Sequence, residues 1–532
     1  MRLSPLLSSW ALCVLGALAR NVPGRPLVDL GYSKYRGIQV SAEVDQFLGM
    51  RFAAPPLGNL RFRAPRDPIH RTDVQDASRF GPVCIGGDQN VTEPQAEDCL
   101  FINVFTPSGS NRGSKLPVWV YIQGGGYAQN SNANYNGTGV LSESGGNIVL
   151  VNFNYRVGAL GFLAGDALRK HGDHNVGLLD QRKALEWVQR HIRKFGGDPE
   201  HVVIHGASAG AGSVAYHLTA HGGRDDGLFV GAISQSPYFG VQRTIRESNV
   251  YLNRLLNQVG CSTMACLRSA DAAAVQASVF APTGTLAAET YIASLVWVPV
   301  IDGDLIRSRL YTAFEDGRFI RVPLMVGGVT DEGSAFAYNA TSRDEVTQFT
   351  ESLYPTLRSA HLKSINNAYP RFPPVPRHAA YFPTASAILT DVSFTCPGLE
   401  MTRTASLWDS TMSWNYRYNV QDPTSLAMGW GVPHTVETTA IFGLEYGGSI
   451  GFPSLLDTNA PIIPMVMNYF VSFVRELDPN VLRHETAPVW QPWGAAQQRL
   501  KIETNNTMME RVSRDQQGRC ALFKKLAPIT KQ

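Results

Sequence analysis

Charge is scarce in this chain of 532 residues: 17% are charged against 44% hydrophobic, and the formal net charge is only +3. No block of lysine and arginine could follow a phosphate backbone, which argues against nucleic acid as a partner. Long apolar runs are scarce too, and no segment beyond the N-terminus approaches the about 20 apolar residues that span a bilayer. Internal repeats, low-complexity tracts and Gly/Ser linkers are missing, which excludes solenoids and independently moving domains on tethers. What remains is ample material for a large core, beyond the usual single-core size, so one large domain with insertions and two domains both fit.

The N-terminus stands apart. Met1-Arg2 precedes an apolar stretch through Leu6, Leu7, Trp10, Leu12, Val14 and Leu15 that closes on Ala17-Leu18-Ala19, a cleavage-site pattern. Ser8, Ser9 and Arg20 keep the run shorter than a membrane anchor, so residues 1–19 are expected to be a secretory signal peptide. Export places the chain in an oxidising compartment. Cys13 leaves with the signal, and Cys84, Cys99, Cys261, Cys266, Cys396 and Cys520 remain, an even set whose pairing spacing alone does not choose. Asn90, Asn136, Asn339 and Asn505 each open a glycosylation sequon that agrees with secretion.

Residues 117–122, 148–153, 201–205 and 322–326 are β-branched or aromatic and end in glycine or polar turns, as strands do. Between them, Leu179, Ala184, Trp187, Val188 and Ile192 recur at helical spacing in a segment from Leu178 to Phe195 that Gly196-Gly197-Asp198-Pro199 stops. Strand, helix, strand in this order predicts a mostly parallel, buried sheet. From Asp271 to Ser294 and from Ser342 to Ser386, short helical patterns broken by prolines predict excursions that cap the sheet and shape a pocket.

Gly206-Ala207-Ser208-Ala209-Gly210 fits G-x-S-x-G, in which a strained turn between strand and helix lifts a nucleophilic serine above a sheet. Such a pattern arises by chance roughly 0.3 times in a sequence with this glycine content, so context must carry it. The motif follows strand-like Val202-Val203-Ile204 and precedes a segment, Ser213 to Ala220, that can start a helix. Acyl transfer also requires backbone N–H groups aimed at a developing oxyanion. Gly124-Gly125-Gly126 at the end of a strand is placed for this, with the Ala209 N–H as the donor after the nucleophile. A base and an orienting acid complete the chemistry, and in this arrangement they follow as Ser, Asp/Glu, His. Asp331 and Glu332 follow the strand 322–326, where a sheet-end carboxylate belongs. Of the histidines after Ser208 (His217, His221, His361, His378, His434 and His484), His434 sits in a loop bounded by Gly431 and Pro433. His201 and His205, four apart, lie on a strand without a glutamate between them; they read as strand-end residues, and no metal is expected.

Together these motifs resemble the cholinesterase-like type-B carboxylesterase and lipase family over nearly the whole mature chain. The matching segments are 47–62, 97–104, Asn154-Tyr155-Arg156-Val157-Gly158, Gly177-Leu178-Leu179-Asp180-Gln181-Arg182, Asp331-Glu332-Gly333-Ser334, Cys396-Pro397 and the His434 loop to Gly443. The resemblance implies an α/β-hydrolase fold: a mostly parallel central sheet, helices on both faces and helical insertions over the active site. It implies Glu332 as the acid, His434 as the base, and Gly125, Gly126 and Ala209 as the oxyanion donors. It further implies Ser236 as support for the histidine, disulfides Cys84–Cys99, Cys261–Cys266 and Cys396–Cys520, and ion pairs Arg61–Glu97 and Arg156–Asp180.

Two departures narrow the expectation. The Cys84–Cys99 loop has no aromatic residue and Ala207 precedes the nucleophile, so the choline-binding features of cholinesterases are lacking. That loop is also too short and too polar, through Gly86 to Asn90, to form the long amphipathic lid of the family's lipases. Residues 20–532 are therefore expected to form one catalytic domain, a secreted carboxylesterase for small-molecule esters of short to medium acyl chains, most like those of filamentous fungi. It needs no cofactor, and its oligomeric state is left open. A triacylglycerol lipase, an esterase dedicated to one secondary metabolite, and a non-catalytic adhesion module are the alternatives.

Overall fold

Strand segments buried along their whole length belong at the centre of a sheet covered on both faces. Val149–Phe153 and Gly231–Gln235 are buried at every residue. In the computed structural model, which describes residues 25–41, 43–87, 94–130, 134–277, 295–444 and 452–532, they are central strands of an eleven-stranded sheet. In chain order its strands are β1 (Ile38–Gln39), β2 (Val44–Arg51), β3 (Phe101–Pro107), β4 (Leu116–Ile122), β5 (Val149–Phe153) and β6 (Gly197–Ala207). They continue with β7 (Gly231–Gln235), β8 (Leu324–Val329), β9 (Ser413–Tyr418), β10 (Gln498–Ile502) and β11 (Met508–Arg511). The spatial order is β1-β2-β3-β5-β4-β6-β7-β8-β9-β10-β11. Every neighbouring pair from β5 to β10 is parallel, and the pairs at both edges are antiparallel. This is the α/β-hydrolase sheet.

Alternation along β4 divides the core. Val118, Val120 and Ile122 enter one hydrophobic cluster, and Trp119 and Tyr121 enter the other. On the first face lies α1 (Val176–His191), burying Leu178, Leu185, Trp187 and Val188. The expected segment ran to Phe195, and its last turn, Ile192–Phe195, is a 3-10 turn. α2 (Ala209–Thr219) shares that face. It begins at once after Ser208 rather than at Ser213, because full burial of Ala209 to Gly212 against the sheet overrides the poor helix propensity of two glycines. Further helices are α3 (Leu310–Glu315), α4 (Arg343–Leu353), α5 (Ser359–Ala368), α6 (Phe382–Thr390) and α7 (Cys396–Trp408). α8 (Ile462–Glu476) covers the second face through Val466, Phe470 and Phe473, and α9 (Arg514–Thr530) closes the chain.

The proline-broken stretch 342–386 thus resolves into α4, α5 and the start of α6. Of the stretch 271–294 only the part to residue 277 is described, with a short helix at Ala272–Gln276. Residues 1–19, expected to be a signal peptide, and Asn90 also lie outside the described residues. Among the described residues no helix is long and apolar enough to cross a membrane.

The three disulfides are Cys84–Cys99, Cys261–Cys266 and Cys396–Cys520. Arg156 grips buried Asp180 through Nε and Nη2 at 2.8 and 2.7 Å, and Arg61 meets Glu97 at 2.5 Å. Bidentate geometry offsets the desolvation that burying each pair costs.

Candidate active site

Ser208 sits between the end of β6 and the start of α2 with φ 59° and ψ −122°, a conformation that L residues avoid. The surroundings enforce it. A Cβ on Gly206 would lie 2.1 Å from the Gly210 carbonyl oxygen, and one on Gly210 would lie 2.1 Å from the Ile122 carbonyl oxygen. Only glycine lets the strand, the turn and the neighbouring β4 approach this closely. Hydrogen bonds hold the turn: the Ser208 N–H donates to the Gln235 carbonyl at 2.9 Å, and the Ser208 carbonyl accepts from Gly212 N at 2.9 Å.

Glu332 lies just past β8, in a 3-10 turn, and is 1% exposed. Its Oε1 accepts from Ser236 Oγ at 2.7 Å and from Val329 N at 2.8 Å, while Oε2 pairs with His434 Nδ1. With Nδ1 engaged, Nε2 is the free end of the imidazole. It is buried, it makes no hydrogen bond, and His434 and Ser208 line the same cavity. A free Nε2 is the basic nitrogen that a hydroxyl proton transfer requires, and such contacts are often long before substrate binds.

The neighbouring Asp331 has a different task. Its Oδ2 accepts from Val432 N at 2.9 Å, and its own N–H donates to the Val432 carbonyl at 3.0 Å, which ties the histidine loop to the end of β8. Burial raises the Asp331 pKa, and the Val432 N–H and the Arg417 charge oppose that rise. Of the two adjacent acids, geometry puts Glu332 on the histidine and Asp331 on its loop.

The cavity above Ser208 holds about 210 Å³. Gly124, Gly125 and Gly126 form one wall, and Gln129, Tyr238, Leu295, Phe336 and Phe394 form much of the rest. Gly125 and Gly126 have φ of 107° and 63°, and the Gly125 carbonyl is turned away to accept from Ala128 N and Gln129 N at 3.0 Å each. The N–H groups of Gly126 and Ala209 make no hydrogen bond to the described residues. Unspent N–H groups flanking a serine are the equipment of an oxyanion site. The Cys84–Cys99 loop braces this wall: Gly87 N donates to the Ala128 carbonyl at 2.9 Å, and Asn130 Nδ2 to the Cys84 carbonyl at 2.7 Å.

Aromatic rings frame His434. Phe394 lies 4.5 Å from the His434 ring and Phe336 lies 5.1 Å from it. Neither ring was among the residues expected from sequence. Phe394 belongs to a π-helical turn, Asp391–Thr395, and such turns are frequent at functional sites. A second unexpected group is Glu437, three residues past His434 and 1% exposed. Tyr416 donates to its Oε1 at 3.2 Å and its Oε2 has no partner. Burial, with the Glu332 charge adding to it, pushes this carboxyl up to about 8.

Other expected residues lie elsewhere. His201 and His205 are inside β6 rather than at its end, because that strand runs on to Ala207. His205 bridges Trp119 Nε1 and Gln235, and burial lowers it to about 3, so it stays neutral. Asn339 and Asn505 are exposed; Asn136 is half-buried, with its Oδ1 accepting from Thr138.

Comparison with known proteins places these observations. The profile of the carboxylesterase family matches residues 25–521. The chain is 31% identical over 501 residues to Lipase 2 of Geotrichum candidum, covering 83% of this chain and 85% of that protein. It is 32% identical over 474 residues to Secreted lipase 4 of Gibberella zeae, covering 84% and 82%. The crystal structure of Aspergillus niger EstA superposes with a TM-score of 0.90 at 48% identity, covering 96% of this chain and 99% of that one.

Proposed function

The chain belongs to the carboxylesterase family and is a carboxylic ester hydrolase, and from that premise we propose that Ser208, His434 and Glu332 perform the hydrolysis. His434 Nε2 takes the Ser208 hydroxyl proton as the oxygen attacks the ester carbonyl. Backbone N–H groups of Gly125, Gly126 and Ala209 receive the oxyanion. The alcohol leaves with that proton, and an acyl-enzyme remains. Water then gives its proton to the same nitrogen and attacks the acyl carbon, freeing the acid and restoring Ser208. Glu332 holds the imidazole tautomer and stabilises its charge, and Ser236 fixes Glu332. The observation that carries this reading is the unpartnered Nε2 of His434, a residue that lines one cavity with Ser208, while Nδ1 is held by Glu332.

Two features support a substrate class: a cavity of about 210 Å³ walled by Leu295, Phe336 and Phe394 suits short to medium acyl chains, and a Cys84–Cys99 loop too short and polar for an amphipathic lid favours dissolved esters. The protein works outside the cell, as the name of the Gibberella relative says of that protein. A series of p-nitrophenyl esters from acetate to palmitate tests the class: kcat/KM should peak at or below the octanoate and fall for longer chains. A maximum at palmitate, or a sharp rate increase when tributyrin passes its solubility limit, would make the protein a lipase instead.

A further inference from the structure

The described side chains with polar atoms that line the cavity of Ser208 are Gln129, Ser208, Tyr238, His434 and Thr435. Ser208 and His434 belong to the proposed chemistry. Thr435 spends its hydroxyl on the His434 carbonyl at 2.7 Å, and Tyr238 is engaged by Phe394, with ring centres 5.8 Å apart, and by a further partner. Gln129 remains.

The two ends of its amide differ. Oε1 is turned inward, where it has no partner and no ligand reaches it. Nε2 carries two donors, belongs to a half-buried residue, and donates to none of the described residues. It is the donor in the cavity wall that neither the fold nor the proposed chemistry uses.

Backbone contacts fix the stem of this side chain. Gln129 N donates to the Gly125 carbonyl at 3.0 Å, and the flanking Ala128 and Asn130 are bonded to Gly87 and Cys84. A Cβ on Gly86 would lie 2.9 Å from Gln129 Cα and 3.0 Å from its Cβ, so the Cys84–Cys99 loop packs directly on the stem. A donor on a fixed stem loses less freedom when a ligand meets it. Among the described residues no Asp, Glu, Lys or Arg lines the cavity, which favours an uncharged partner for that donor.

We infer that Gln129 is a specificity residue. Its Nε2 donates to an acceptor oxygen that the substrate carries on a short arm near the ester, and so selects for neutral esters with an ether, keto or hydroxyl oxygen there. The inference rests on Ser208 as the nucleophile of this cavity.

Two ester pairs that differ by an ether oxygen in place of a methylene test it. On the alcohol side 2-methoxyethyl butyrate is set against butyl butyrate, and on the acyl side ethyl 3-methoxypropanoate against ethyl pentanoate. kcat/KM is measured for the full chain, for Gln129→Met and for Gln129→Leu, with active sites counted by the p-nitrophenol that paraoxon releases. On at least one side the ether-to-methylene ratio should fall about fivefold in both variants. Ratios that stay within about twofold of wild type on both sides would overturn the inference, even where both esters slow together, since a merely structural role slows them equally. Wild-type activity that survives full phosphorylation of Ser208 would overturn the Ser208 reading, and the inference with it.

Discussion

The nucleophile side and the histidine side of the candidate active site are held by opposite means. Around Ser208 side chains are missing: Gly206 and Gly210 leave backbone so close to backbone that a methyl group has nowhere to go. Around His434 polar side chains are present. Glu332 takes donors from Ser236, Val329 and the imidazole, and Asp331 bonds Val432 twice. Steric enforcement is local and tolerates no substitution. Hydrogen-bond enforcement is spread over several partners and yields by degrees.

The largest effect is expected from removing the charge that holds the histidine side. Glu332→Gln keeps the shape but favours the wrong imidazole tautomer, and turnover should fall by about 10⁴ while the far-UV spectrum is unchanged. A loss below about tenfold would mean that the carboxylate does not serve the histidine, since a triad acid is worth far more.

Gly206→Ala attacks the steric half. The added methyl must displace the Gly210 carbonyl, and a shift of about 1 Å at the nucleophile should cost about 100-fold in kcat, with a lowered melting temperature. Near-normal kinetics in a folded variant would show that the turn has slack the packing does not reveal.

The smallest effect sharpens the account of the histidine side. Glu437, raised from 4.5 to about 8, keeps its proton in the folded protein while the unfolded chain releases it. The folded state therefore binds more protons across that interval, so this group's contribution makes stability fall as pH climbs from about 5 to 8. Glu437→Gln removes that dependence. Its melting temperature should gain on wild type over the interval, as calorimetry at pH 5 and pH 8 would show. A constant difference would mean that Glu437 titrates in the ordinary range.

The same contrast explains what was legible in the sequence. The elbow is a five-residue pattern because its cause is local, and the strands around it announced themselves by composition. His434 was one of several downstream histidines because its separation of 102 positions from Glu332 is closed only by the sheet and by Asp331 on the loop. Its loop between Gly431 and Pro433 favoured it, and the family resemblance strengthened that reading. Phe336, Phe394 and Glu437 left no signal, since an aromatic or acidic residue near a motif is ordinary until the chain is folded. α2 starts earlier than its sequence suggests for a related reason: Gly210 and Gly212 weaken helix propensity, and only their burial against the sheet reverses that.

The central claim is that Ser208 is the nucleophile, and diisopropyl fluorophosphate labelling tests it most directly. Intact mass should show one adduct whose formation parallels the loss of esterase activity, peptide mapping should place it on Ser208, and Ser208→Ala should fold, take no label and hydrolyse no ester. An adduct on another residue, or activity that survives full labelling of Ser208, would contradict the account.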